Sequence, residues 1–176
     1  MKGLNFIPEC YVDTNLVETL MNVDVNHQHS CSKVAHTMEH TKTDSFAVGI
    51  IDNDKKKPTY VSSFTLIASK EHFKLLKHQD RHHYLIIISP AIDRFIIDCA
   101  QKSNINLEDY GLPHNFNNFK EQTKKITSNK DSRFKALFNA LKINDEFACL
   151  EKVLTYLRKQ QYKSSISDLE QLFLNK

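Results

Sequence analysis

Two rhythms of apolar positions alternate along the chain. Residues 5–12 form a short apolar-rich stretch that predicts a strand, and it runs into "DTNLVETLMNV", where Leu16, Val17, Leu20 and Met21 recur at helical spacing. A brief "VDV" reads as extended, and "SCSKVAHTMEHT" returns to helical spacing with Val34, Ala35 and Met38 on one face. The run "FAVGII" is apolar without a break, the pattern of a strand covered on both faces. "HYLIIIS" repeats that pattern, and between the two the segment around "HFKLLKHQ" fits a helix. "AIDRFIIDCAQKSN" then follows as a helix through Ile92, Phe95, Ile96 and Cys99. Strands alternating with helices predict right-handed βαβ units, hence an α/β fold with an open, mostly parallel sheet flanked by helices.

Beyond Tyr110 the rhythm changes. "GLPHNFNNF" reads as a loop, and three helices are predicted after it, in "DSRFKALFNALK", "DEFACLEKVLTYLRKQQ" and "SDLEQLFL", with Asp145 and Ser167 as caps of the last two. The chain therefore divides into an α/β domain over residues 1–110 and a helical C-terminal extension over 111–176 packed on the same body. At 176 residues it is long enough for one domain with a real core.

Composition alters this picture only in excluding classes. Hydrophobic residues make up 40% and charged residues 26%, the balance of a soluble globular chain. The longest apolar runs are too short to cross a bilayer, and no apolar stretch of signal-peptide length opens the chain, so no membrane partner and a cytoplasmic location are expected. Cysteines at 10, 31, 99 and 149 form no CxxC pair and read as free thiols. Three glycines leave no room for Walker or Rossmann phosphate loops. Net charge is only +3, yet "KKKP" at 55–58 and "KEQTKKITSNKDSRFK" at 120–135 concentrate nine of the 24 Lys and Arg residues, a local patch suited to a polyanion such as nucleic acid.

The candidate chemistry lies in carboxylates at strand ends. "FAVGII" stops on Asp52, Asn53 and Asp54, and in an extended backbone the two aspartates point to one side where the strand leaves the sheet. Glu9 and Asp13 stand four residues apart at the first strand-to-helix junction. If the two strands are neighbours, four carboxylates meet at one edge, where their repulsion favours a bound Mg²⁺ or Mn²⁺. Lys55, Lys56 and Lys57 would then meet phosphate as well as solvent.

"ECYVDTNLVETL" followed by "FAVGIIDND" resembles the TOPRIM domain, whose motifs are similar to Glu-Gly-x-x-Asp and Asp-x-Asp. That fold is shared by bacterial primases, topoisomerases, OLD-family nucleases, ribosomal-RNA maturation ribonucleases and recombination proteins. The resemblance spans roughly residues 4–98, a typical extent for one small α/β unit. It implies that Glu9 is a metal ligand and general acid/base, that Asp13 stands beside it, and that Asp52 and Asp54 hold the Mg²⁺ or Mn²⁺. It also implies a further acidic ligand after the next buried strand, for which Asp93 is the candidate. A transition-state lysine comes from Lys55 to Lys57 or from Lys124 and Lys125. Cys10 replaces the family's glycine, and Pro8 falls in what should be a central strand. The chain is too short for a primase's template domain or a topoisomerase's strand-passage domain, so metal-dependent hydrolysis of nucleic acid is the expected activity.

Two other readings compete. His27, His29, Cys31, His36 and His40 could supply a zinc site, although they lack a second cysteine. Alternatively, a TOPRIM-like fold without catalysis could bind nucleic acid, a protein or a second copy of the chain, through the C-terminal helices in the latter cases.

Overall fold

The computed structural model describes residues 5–42, 45–53 and 56–174. Five strands form one open sheet: β1 (Phe6–Pro8), β2 (Ala47–Asp52), β3 (Phe64–Ser69), β4 (Phe73–His78) and β5 (His83–Ile88), in the order β1-β2-β5-β4-β3. The β1–β2 and β2–β5 pairings are parallel, whereas β5–β4 and β4–β3 are antiparallel. The fold is α/β, but the sheet is mixed, so a mostly parallel sheet holds for only half of it. The difference arises between β2 and β5. The segment expected as a helix, "HFKLLKHQ", is β4, hairpin-paired with a β3 that the sequence pattern does not announce.

Seven α-helices accompany the sheet among the described residues: α1 (Tyr11–Met21), α2 (Cys31–Glu39), α3 (Ile92–Lys102), α4 (Phe116–Lys124), α5 (Ser132–Leu141), α6 (Asp145–Gln160) and α7 (Ile166–Leu174). Helix α4 begins inside the stretch expected as loop. Helix α1 starts at Tyr11, so the predicted 5–12 strand shortens to Phe6–Pro8; left-handed Asn22 ends the helix at φ 53°. Helix α6 is capped by the Asn144 side chain, which accepts from the Glu146 and Phe147 amides; Asp145 is its first helical residue, not its cap. Likewise α7 starts before Ser167, and the Asp168 amide donates to Ser165 Oγ.

Strand alternation sends side chains to two cores. On one face Phe6, Val48, Ile50, Phe73, Leu75, Tyr84, Ile86 and Ile88 pack with α1, α3 and the later helices, in one apolar cluster that runs from Phe6 to Phe173. On the other, Ile7, Ala47, Ile51, Leu85 and Ile87 pack with Val34 and Met38 of α2. Gly49 permits that approach, because a Cβ there would lie 2.5 Å from Met38 Sδ.

Pro8 sits on the outer strand, not a central one. Glu9 N–H donates inward to Ile50 O, while Phe6 O and Pro8 O accept from Asn26 and Gln28 in an extended segment along the outer edge. The predicted "VDV" strand reduces to this contact, with a single bridge at Val25. The amide that proline lacks would have faced this thin outer segment, so β1 keeps its pairing with β2. No helix among the described residues is long and apolar enough to cross a membrane.

Candidate active site

Three parallel strands end side by side, and in open α/β sheets ligands gather beyond such carboxyl ends. Glu9 follows β1, Asp52 closes β2, and Asp93 lies in the first turn of α3, just after β5 and the cis Ser89–Pro90 bond. All three line a cleft of about 310 Å³, whose opposite wall carries Lys120 and Lys124 of α4. The 120–135 basic run thus delivers part of its charge to the carboxylates, through a helix that the sequence pattern hid.

Backbone donors fix the carboxylates. Glu9 Oε2 accepts from the Asp52 amide at 3.1 Å, tying the end of β1 to that of β2. Asp52 Oδ1 accepts from the Ile92 amide at 3.0 Å, tying β2 to the start of α3. Lys57 Nζ donates to the Asp52 carbonyl at 2.5 Å. Lys120 Nζ stands 3.9 Å from Asp93 Oδ2. Asp54 and Lys55 lie outside the described residues. Lys125 caps the end of α4, with Nζ donating to Gln122 Oε1 at 3.1 Å, and does not line the cleft.

Asp13 lies behind the cleft, fully buried. It is the third residue of α1 and closes a capping box by accepting from the Cys10 amide at 3.2 Å. Its other oxygen, Oδ1, is buried without a hydrogen-bond partner. Burial pushes the carboxyl up to about 7, and the Glu9 and Asp93 carboxylates push the same way against hydrogen bonds from Cys10. Burial also holds the Cys10 thiol well above its ordinary range, with Asp13 adding to the effect. Cys10 is thus a half-buried helix cap.

The third wall is aromatic. Tyr11 stacks on His27 with centroids 4.6 Å apart, and His29 meets both rings edge-on. Thr14 Oγ1 bridges the Cys10 carbonyl at 2.8 Å and His27 Nδ1 at 2.7 Å. His27 Nε2 is buried without a hydrogen-bond partner. Burial, then the charge of His29, lowers the pKa of His27 and keeps the ring neutral.

The donor chemistry suits a hard divalent cation, since Glu9, Asp52 and Asp93 offer oxygen only. The carboxylates are not drawn into a tight cage. Among the described residues, the one set of three His, Cys, Asp or Glu side chains with ligand atoms within 4.8 Å of one another is His72, Cys99 and Glu146, outside the cleft.

The histidine-rich segment forms no such set. Cys31 is buried in the α2 core, His36 stacks on His40 with centroids 4.0 Å apart, and His27 and His29 join the cleft. In "RHHY", His83 and Tyr84 are buried in β5. Sequence reasoning missed Lys120, His27 and His29 as neighbours of the carboxylates, because each arrives from an element remote in sequence. No family model, no curated protein and no solved structure matches the chain.

Proposed function

We propose that the chain is a metal-dependent phosphodiesterase acting on nucleic acid, with a TOPRIM-like site. The observation that carries this reading is the convergence of Glu9, Asp52 and Asp93, from the ends of three adjacent parallel strands, on a cleft walled by Lys120 and Lys124. Glu9, Asp52 and Asp93 would hold Mg²⁺ or Mn²⁺, with Asp13 behind them; Asp54 and Lys55 belong to the same proposed set by sequence alone. Such a cation supplies Lewis-acid charge that lowers the pKa of water and offsets charge on a phosphodiester. Lys120 and Lys124 bind the phosphate by charge without reading sequence. The Ile92 and Asp52 amides orient the carboxylates they touch. Glu9 exchanges a proton with the attacking water.

The alternative is a non-catalytic binding module, and one observation favours it: the Lys120 ammonium already stands near Asp93, as a built-in counter-charge would. A partner face on the C-terminal helices has less behind it. Phe134, Leu137, Phe138, Phe147, Leu150 and Leu157 all point into the core, leaving mainly Ile143, Ile166 and Leu174 exposed.

The deciding experiment incubates the full chain with labelled single-stranded DNA, duplex DNA and structured RNA in Mg²⁺, Mn²⁺ or EDTA, beside Asp52→Asn. Cleavage that needs metal and vanishes in Asp52→Asn is expected. No cleavage of any substrate, together with no divalent-ion binding by calorimetry, would sink the enzyme reading in favour of the module.

A further inference from the structure

On the antiparallel side of the sheet, away from the cleft, three elements bring together a different donor set. His72, just before β4, is buried. Its Nδ1 lies 2.8 Å from Glu146 Oε1 in the first turn of α6, its backbone amide donates to Glu146 Oε2 at 2.8 Å, and its Nε2 lies 3.1 Å from Asp98 Oδ2 on α3. Cys99, the next residue on α3, is fully buried, and its Sγ falls with the His72 and Glu146 ligand atoms inside the common 4.8 Å span. We propose that His72, Cys99 and Glu146 form a zinc-class metal site, the cation taking the place of the direct contact between His72 Nδ1 and Glu146 Oε1.

One imidazole nitrogen, one sulfur and one carboxylate oxygen, none sequence neighbours, match the ligands and count of a four-coordinate Zn²⁺ with a water in its fourth position. Mg²⁺ is excluded by the same chemistry, since it demands oxygen ligands. Asp98 then plays the part that carboxylates commonly play beside metal-bound histidine: it accepts from Nε2–H, fixes the tautomer and turns Nδ1 toward the metal. Phe95 packs its ring 5.7 Å from the imidazole and holds the ring plane.

An entry path exists. A cleft of about 500 Å³, lined by Lys70, Glu71, Lys102, Ser103, Asn144 and Glu146, reaches the cluster at Glu146. Lys102 stands 3.8 Å from Glu146 Oε1 but is already bound to Glu71 at 2.5 Å, and its half-exposed side chain can stay with that partner when a cation arrives. Burial keeps the Cys99 thiol protonated far above its ordinary range, so binding must displace its proton. The balance is simple: the Cys99 S–H proton passes to solvent as the S–Zn bond forms, the neutral imidazole carries its one proton on Nε2, and bonds from Cys99 Sγ, His72 Nδ1 and Glu146 Oε1 replace waters of the hydrated cation. No redox change is involved.

The test titrates the full chain with Zn²⁺ and with Co²⁺ as a spectroscopic probe. One equivalent should bind with proton release, and Co²⁺ should give a near-ultraviolet thiolate-to-cobalt charge-transfer band in the unmutated protein. The band should vanish in Cys99→Ser, and Asp98→Asn should weaken zinc by roughly 10–100-fold. Asp52→Asn should leave both unchanged, which separates this site from the cleft. Absence of the cobalt band in the unmutated chain, or zinc affinity unaffected by Cys99→Ser, overturns the site and leaves His72 as the centre of an ion-pair network only. Because the first readout uses the natural sequence, a variant that fails to fold does not protect the proposal.

Discussion

The parallel and antiparallel halves of the sheet bury their strands by different means and collect different chemistry. In β2 and β5 nearly every residue is buried, covered by α2 on one face and by α1, α3 and the later helices on the other. In β3 most positions are partly or fully exposed, Leu66 at 53%, and β4 buries only Phe73, Leu75 and His78. The parallel strands all end together, and so aim hard oxygen donors and lysines at one cleft. The antiparallel hairpin instead presents its turn, with His72, to the flanks of α3 and α6, and there nitrogen and sulfur meet oxygen. Strand direction thus sorts the ligand chemistry of the two ends.

The comparison breaks first where packing is largest. Phe95→Ala should cost about 3–5 kcal/mol, because this fully buried ring stacks on Phe147 at 4.8 Å and lies against Phe73 and His72. Hydrogen exchange should then rise in β3 and β4 before β1, β2 and β5; uniform loss across the sheet would show that the halves are one cooperative unit. On the parallel side, Gly49→Val should cost about 1–3 kcal/mol by overpacking, since its Cβ would collide with Met38 and crowd Val34. Urea unfolding measures both.

A smaller effect sharpens the contrast through pH. Burial, then the charge of Arg81 and the neighbouring His78, lowers the pKa of His83 to about 4. Its ring is held by Tyr60 Oη at 2.6 Å and Thr41 Oγ1 at 3.2 Å. The unfolded chain takes up the proton first, so stability present above the ordinary histidine pKa is lost as pH falls from about 6.5 to 4, by up to about 3 kcal/mol. His83→Gln should flatten that slope; an unchanged slope would move its origin elsewhere. Smallest of all, Lys142→Ala should cost no more than about 0.5 kcal/mol, although the Lys142–Glu151 pair is only 2.8 Å long. A larger loss would mark that helix surface as more than solvated charge.

Legibility in the sequence followed burial. "AVGIID" and "HYLIII" are apolar throughout because both faces are covered, and such runs have only one reading in an α/β chain. "FKLLKH" buries residues 73, 75 and 78, and six residues with Phe73 and Leu76 at helical spacing satisfy either period. Glu9, Asp52 and Asp93 could be nominated because a strand end is a local property. Lys120 and the Tyr11–His27–His29 wall could not, since their approach depends on how α4 and the 25–28 segment fold back. His72, Cys99 and Glu146 share no spacing at all; only the tertiary fold makes them neighbours.

The extended segment on the outer side of β1 bears on how the protein behaves at high concentration. An uncovered strand is a template on which another chain can add, and two uncovered edges allow growth without end. Here Asn26 and Gln28 occupy the β1 edge, and Pro8 withholds an amide from any competitor. Among the described residues the outer side of β3 has no strand partner, and a break in register between Leu66 and Ala68 bends that strand. With a single open edge, pairing through the sheet closes on itself after two copies, so self-association by this route ends at a dimer rather than a fibril.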